Sequence, residues 1–114
     1  MSARWVVRTG AAADIDVKNI VRWTAAQFGR VQARAYFKII DATLQDLHAG
    51  PDIIGSKPLG DFAPGVHTLH VARKSRAGRH FMLFRAHSVQ GENAIDVLRI
   101  LHDSMDLQRH LPVH

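Results

Sequence analysis

IDVLRILHDSMDLQRHL, residues 95–111, is the stretch that decides how this chain folds. Ile95, Val97 and Leu101 alternate with Leu98 and Ile100, so both faces of the segment are apolar except at Arg99. A strand with two apolar faces belongs in the interior of a sheet, covered by other layers. The run ends on His102, passes through an Asp-Ser-Met-Asp turn and enters a short amphipathic tail that closes on Arg109, His110 and Leu111. Arg99 and His102 are the polar exceptions and need partners or solvent. Simple alternation puts Arg99 on the face of Ile95 and Val97, half-buried and paired with a neighbour of Asp96 or with a backbone carbonyl.

The remaining chain must supply the covering layers. Residues 5–8, WVVR, form a short strand, closed by Thr9 and Gly10, with Thr9 or Asp14 placed to cap the next element. From residue 11 to 28 the period becomes helical: Val17, Ile20, Val21, Thr24 and Phe28 share one face, with Trp23 at its edge. Asp14 and Asp16 in the first turn suit the helix dipole, and Gly29 ends the helix. A second helix over 31–48 carries a stripe of Ala33, Tyr36, Phe37, Ile40, Leu44 and Leu47 and stops at Gly50-Pro51. A link this short predicts an antiparallel helical hairpin. Tyr36 and both tryptophans read as core or rim residues.

Residues 51–65 are rich in glycine and proline and read as an irregular loop without the GxxxxGK[ST] spacing of a phosphate-binding loop. Strands come next at 66–73, 79–87 and from 94, separated by a turn over 74–78 and a polar loop over 88–93. Three strands on short links make an antiparallel meander. The expected architecture is therefore one α+β domain over residues 1–114: an N-terminal strand, then an antiparallel helical hairpin packed on a C-terminal antiparallel β-meander.

At 114 residues the chain can bury a modest core. It has no cysteine, no apolar run long enough for a bilayer and no leader-like N-terminus, so a cytoplasmic protein without membrane contact is expected. The net charge of +5 is uneven, because Arg73, Lys74, Arg76, Arg79, His80 and Arg85 fall in one short stretch. Such a cluster suits an anionic partner, either nucleic acid or an acidic protein segment.

Eight histidines invite a metal hypothesis, but the spacing argues against it. His67 and His70 are three apart on a predicted strand and point to opposite faces, His80 and His87 also differ by an odd number, and HExxH is absent. No metal or other cofactor is expected. Metal-free RNA cleavage is the more serious chemistry: it needs a base for the 2′-hydroxyl, an acid for the leaving oxygen and cations for the phosphorane. His102 with Arg79, Arg85 and Arg99 is the set available for it. Ser104, beside Asp103 and two residues from His102, cannot form a triad with them on an extended segment and reads as the cap of a turn or short helix.

Four segments carry a resemblance that spans nearly the whole chain. They are Asp14-Ile15 through Trp23-Thr24 and Gln27-Phe28-Gly29; His70-Val71-Ala72-Arg73; Gly78-Arg79-His80-Phe81 with Leu83-Phe84-Arg85; and Leu98 through Asp106 with Arg109-His110-Leu111. Together with the element order they resemble the ParE branch of the RelE/ParE superfamily of type II toxin–antitoxin toxins, the plasmid-stabilisation proteins. The resemblance implies a small toxin held inactive by a ParD-like antitoxin and acting on DNA gyrase as a protein inhibitor rather than as an enzyme. The alternative it leaves open is the RelE branch, ribosome-dependent messenger-RNA endoribonucleases. RelE-like nucleases carry arginine early in the third meander strand, where this chain has Phe81, and often a C-terminal tyrosine, whereas the only tyrosine here is Tyr36. On this reading an acidic antitoxin tail folds onto the apolar surface of the sheet and the helical hairpin, its carboxylates meeting Arg73, Arg76, Arg79 or Arg85, and the segment with His102, Met105 and Arg109 offers a second surface for target or antitoxin. Direct nucleic-acid binding is not expected, since no recognition-helix pattern is present.

Overall fold

The computed structural model describes residues 4–105, so the expected tail with Arg109, His110 and Leu111 lies outside the described residues. Five strands form one mixed sheet in the order β1-β5-β4-β3-β2. They are β1 (Val6–Thr9), β2 (Lys57–Pro58), β3 (Val66–His70), β4 (His80–Val89) and β5 (Glu92–His102). As the apolar pattern demands, β5 is interior: β1 pairs with it in parallel and β4 antiparallel. Helices α1 (Ala11–Phe28) and α2 (Arg30–Asp46) are separated only by Gly29 and pack as a hairpin.

One irregularity in β5 sets the layers. Phe84 pairs with Val97 but Leu83 pairs with Arg99, so Leu98 is an extra, bulged residue. A strand with strict alternation would put Ile100 on the face opposite Ile95 and Val97. The bulge brings it across, and Ile95, Val97 and Ile100 all enter the core with Met82 and Phe84. Ala13, Ile40 and Leu47 close that core from the helical side. Arg99 moves the other way, opposite Leu83, which packs in a second cluster with Ala63 and Val66. The expected partners of Arg99 are thereby corrected. It meets Asp16 of α1 in a two-point contact of 2.7 and 2.9 Å.

Asp16 does more than neutralise Arg99. Past Thr9, β1 no longer covers the edge of β5, and the same carboxylate accepts the Ile100 N–H at 2.9 Å. It stands in for the missing strand at that point.

Other expectations need adjustment. The α1 N-cap is Gly10, with no side-chain cap; Thr9 instead donates to Asp14 at 2.7 Å. The α2 residues that turn inward are Ala33, Ile40 and Thr43, continued by Leu47 in a 3₁₀ turn, while Phe37 from the same stripe is 46% exposed. Trp23 and Phe28 are also largely exposed, edge-to-face 6.0 Å apart. The loop over 51–65 contains β2, which pairs with β3. β3 stops at His70, three residues before the expected end, because the His70 ring accepts the Ala72 N–H at 3.0 Å and draws it out of the ladder. Residues 88–93 are mostly strand: β4 and β5 meet at a two-residue turn whose Gln90 and Gly91 sit at φ 52° and 79°. No helix among the described residues is long and apolar enough to cross a membrane.

Asp16→Ala leaves Arg99 and the Ile100 N–H without their acceptor and should lower unfolding stability by about 2–3 kcal/mol. Asp16→Asn, which keeps an acceptor for the N–H, should lose less. Urea unfolding with unchanged m-value reads both; equal losses would contradict the two-fold role assigned to this carboxylate.

Candidate functional site

The sheet brings a polar cluster together where β3 and β5 end and β4 begins. His80 and His102 are register partners on adjacent strands, with ring centroids 5.2 Å apart in an edge-to-face arrangement. Tyr36 reaches the same place from α2. It passes Gly78, where an added Cβ would lie 2.9 Å from the phenol oxygen and 2.5 Å from a Val71 methyl, so only glycine fits. The Tyr36 hydroxyl accepts the Arg79 N–H at 3.2 Å and is in hydrogen-bond contact with His80 Nδ1, 2.6 Å away. His70 accepts the Ala72 N–H through Nδ1, which leaves Nε2–H to donate to Asp103 at 3.0 Å. Arg79 binds the same carboxylate through Nε at 3.1 Å and a terminal nitrogen at 3.0 Å.

This geometry fixes the protonation of the cluster. Burial, with the neighbouring His102 charge next in size, pushes His80 down to about 4. It is therefore neutral at pH 7. Burial also pushes the Tyr36 phenol up. Hydrogen bonds from Arg79 and His70 hold the Asp103 carboxyl at about 2. His102 Nδ1 accepts the Ser104 N–H at 3.1 Å and contacts the Ser104 hydroxyl at 2.7 Å, so Ser104 anchors the imidazole rather than capping a helix.

The four residues suited to RNA cleavage are not assembled. Arg99 is bound to Asp16 and Arg79 to Asp103. Arg85 lies five residues along β4 from His80, roughly 17 Å at ~3.4 Å per residue, and pairs in register with Asp96. All three imidazoles of the cluster have Nδ1 held in a hydrogen bond within the chain.

The basic stretch is also largely engaged within the chain. Arg73, Arg76 and Lys74 converge on Asp46 at 2.6, 2.8 and 3.2 Å. Burial works against that carboxylate, but bonds from Arg76 and Lys74 outweigh it and hold its pKa below the usual value. Arg79 remains 70% exposed on one side of its ion pair. Met105 is exposed at the end of the described chain, and Arg109 lies beyond it. Sequence reasoning missed Tyr36, His70, His80 and Asp103 as one cluster, because contacts such as Tyr36 to His80 span 44 positions.

The outer face of the hairpin carries a different feature. Two adjoining grooves of about 450 and 370 Å³ meet at Val21 and Phe37 and run between α1 and α2. Val17, Ala25 and Ala33 complete the apolar floor. Every charged residue on the rim is cationic: Lys18, Arg22, Arg30, Arg34 and Lys38.

Comparison with known proteins gives a consistent picture. Residues 7–107 match the family model described as ParE toxin of type II toxin-antitoxin system, parDE. The chain is 32% identical over 111 residues to Toxin ParE1 of Mycobacterium tuberculosis, covering 97% of this chain and 100% of that protein. It is 29% identical over 101 residues to Toxin ParE of Escherichia coli, covering 89% and 87%. Its fold resembles that of a chromosomal ParDE toxin–antitoxin system from P. aeruginosa, with TM-score 0.69 and 23% identity over 89% of this chain and 98% of that one. It also resembles the RelBE2 toxin–antitoxin complex of M. tuberculosis, with TM-score 0.56 and 20% identity over 90% and 94%.

The His80 environment has a consequence in solution. Its folded value of about 4 lies below the usual ~6.5 of an unfolded histidine, so the unfolded chain takes up a proton that the folded chain refuses. Its contribution to stability is complete above pH ~6.5 and lost as pH falls toward 4. Denaturant unfolding between pH 7 and 4 should show this decline, and His80→Gln should flatten it; identical pH profiles would contradict the assignment.

Proposed function

The chain belongs to the ParE toxin family of type II toxin–antitoxin systems, and from that premise we propose that it inhibits DNA gyrase by binding and is neutralised by a cognate ParD-like antitoxin. The observation that carries the inhibitor reading is the state of the polar cluster: its cation and the Nδ1 atoms of its three imidazoles are already engaged within the chain. Such a surface recognises a partner more readily than it turns over a substrate. The exposed end of the sheet, with Arg79, His102 and Met105, is the surface proposed for the target, to which the sequence reading adds Arg109 outside the described residues, and Arg85 marks a second contact farther along β4.

The antitoxin is assigned to the hairpin groove. An apolar floor between five cations suits an amphipathic helix with carboxylates flanking its apolar face. A disordered acidic segment that folds onto it loses entropy on ordering, which favours a broad contact over one pocket. The sequence expectation placed the antitoxin on the apolar surface of the sheet and the hairpin, with its carboxylates on Arg73, Arg76, Arg79 or Arg85; the proposal keeps the hairpin and moves the carboxylates to its rim, since two of those arginines are paired with Asp46 and one with Asp103. The plasmid-stabilisation role and a cytoplasmic setting belong to the same reading.

The second reading, a ribosome-dependent endoribonuclease, is favoured by one observation: His102 and Arg79 share one end of the sheet with His80 and Tyr36.

Purified chain, DNA gyrase, relaxed plasmid and ATP, with and without antitoxin, separate the two. The proposal predicts loss of supercoiling with linear DNA after denaturation, reversed by antitoxin. The Phe37→Glu chain should inhibit equally but need at least about tenfold more antitoxin for reversal. Unimpaired supercoiling by a folded, toxic chain, with in-frame cuts in translated messages, would overturn the gyrase proposal.

A further inference from the structure

We propose that the open pocket between the end of α2 and the β3–β4 turn binds a phosphate monoester dianion through Arg4, Arg73 and Lys74. The pocket holds about 360 Å³ and lies apart from both the hairpin groove and the polar cluster. Arg4, Arg73, Lys74 and His48 line it, with Asp46 and an apolar wall at Ile53.

The charge balance favours a dianion. Three cations converge on the single carboxylate of Asp46. One negative charge cannot balance them, and two of the three side chains, Arg73 and Arg76, are only 14% and 20% exposed. Water therefore screens the excess poorly. Arg4 adds a further cation and takes part in no ion pair among the described residues. A monoester phosphate brings up to two charges against this excess, whereas a carboxylate or a phosphodiester brings one.

The donors are also preorganised. The Trp5 N–H donates to the His48 carbonyl at 2.9 Å, and His48 Nδ1–H returns a bond to the Trp5 carbonyl at 2.9 Å, which pins the backbone next to Arg4. Arg73 is fixed from two sides, on Asp46 and on the Ile54 carbonyl at 2.9 Å, yet its buried Nε has no hydrogen-bond partner. Lys74 and Ser75 form the turn at φ 52° and 64°, an uncommon conformation for non-glycine residues, closed by Arg76 N–H on the Arg73 carbonyl at 2.9 Å. Lys74 Nζ makes one bond, to Asp46 at 3.2 Å, so two ammonium hydrogens stay available, and its side chain is 58% exposed.

This site stands independently of the gyrase proposal. The phosphate could sit on a small molecule or at the 5′ end of a nucleic-acid strand, and both present the same group. The full chain is titrated by calorimetry and amide NMR with inorganic phosphate, adenosine 5′-monophosphate, adenosine, and an oligonucleotide with a 5′-phosphate or a 5′-hydroxyl, all at one ionic strength. Phosphate and the monophosphate should shift the Lys74, His48 and Ser75 amides, and adenosine should not. Arg4→Ala/Lys74→Ala, which alters two exposed side chains, should weaken binding at least tenfold, and Lys74→Gln alone should weaken it measurably. Tighter binding of the 5′-phosphorylated oligonucleotide than of the monophosphate would identify a strand end as the source, and the reverse a small molecule. A response equalled by chloride, or unchanged affinity in the folded variants, would overturn the site.

Discussion

The carboxylate of Asp16 joins the two layers of this protein at the edge of β5 that β1 leaves uncovered. It binds the Arg99 guanidinium and caps the Ile100 N–H just past the last residue paired with β1. The bulge at Leu98 makes this contact possible, since it turns Arg99 out of the main core and turns Ile100 into it. Without the bulge, Arg99 would stay on the face of Ile95 and Val97, among side chains that cannot solvate it.

The same logic of one carboxylate gathering several donors recurs across the sheet. Asp96 joins Arg8 of β1 and His87 of β4 across β5 at 2.9 and 2.6 Å. Asp103 joins Arg79 to His70, and Asp46 collects Arg73, Lys74 and Arg76. These acids decide which cations of a +5 chain remain free for partners. On the hairpin the rim cations surround an apolar groove with no acid among its lining residues, whereas near the end of the sheet the cations face carboxylates of their own chain. The hairpin and the end of the sheet therefore differ in character, one apolar and rimmed by cations, the other polar and internally paired.

The sequence told much of this in advance because its strongest signals are local. Two apolar faces over residues 95–101 identify an interior strand, and a link of only a residue or two between helical periods points to a hairpin. What it concealed depends on partners distant in the chain. The bulge is set by pairing with β4, and Asp16 meets Arg99 across 83 positions. A wide apolar stripe on α2 does not say which edge turns inward, so Phe37 read as core although it floors the outer groove. The basic stretch over 73–85 read as one continuous surface because the acids that draw its cations in two directions, Asp46 and Asp103, lie outside it. The resemblance to ParE toxins drew on motif order, which survives such local rearrangement.

Action by binding, and not by acid–base chemistry, is the central claim for this chain. The most direct measurement is growth inhibition by the chain carrying both His80→Gln and His102→Gln, with folding and antitoxin binding verified on the purified protein. Toxicity should persist, weakened at most in proportion to target affinity. Complete loss of toxicity in a folded, antitoxin-binding double variant would contradict the claim and make the imidazole pair a catalytic site.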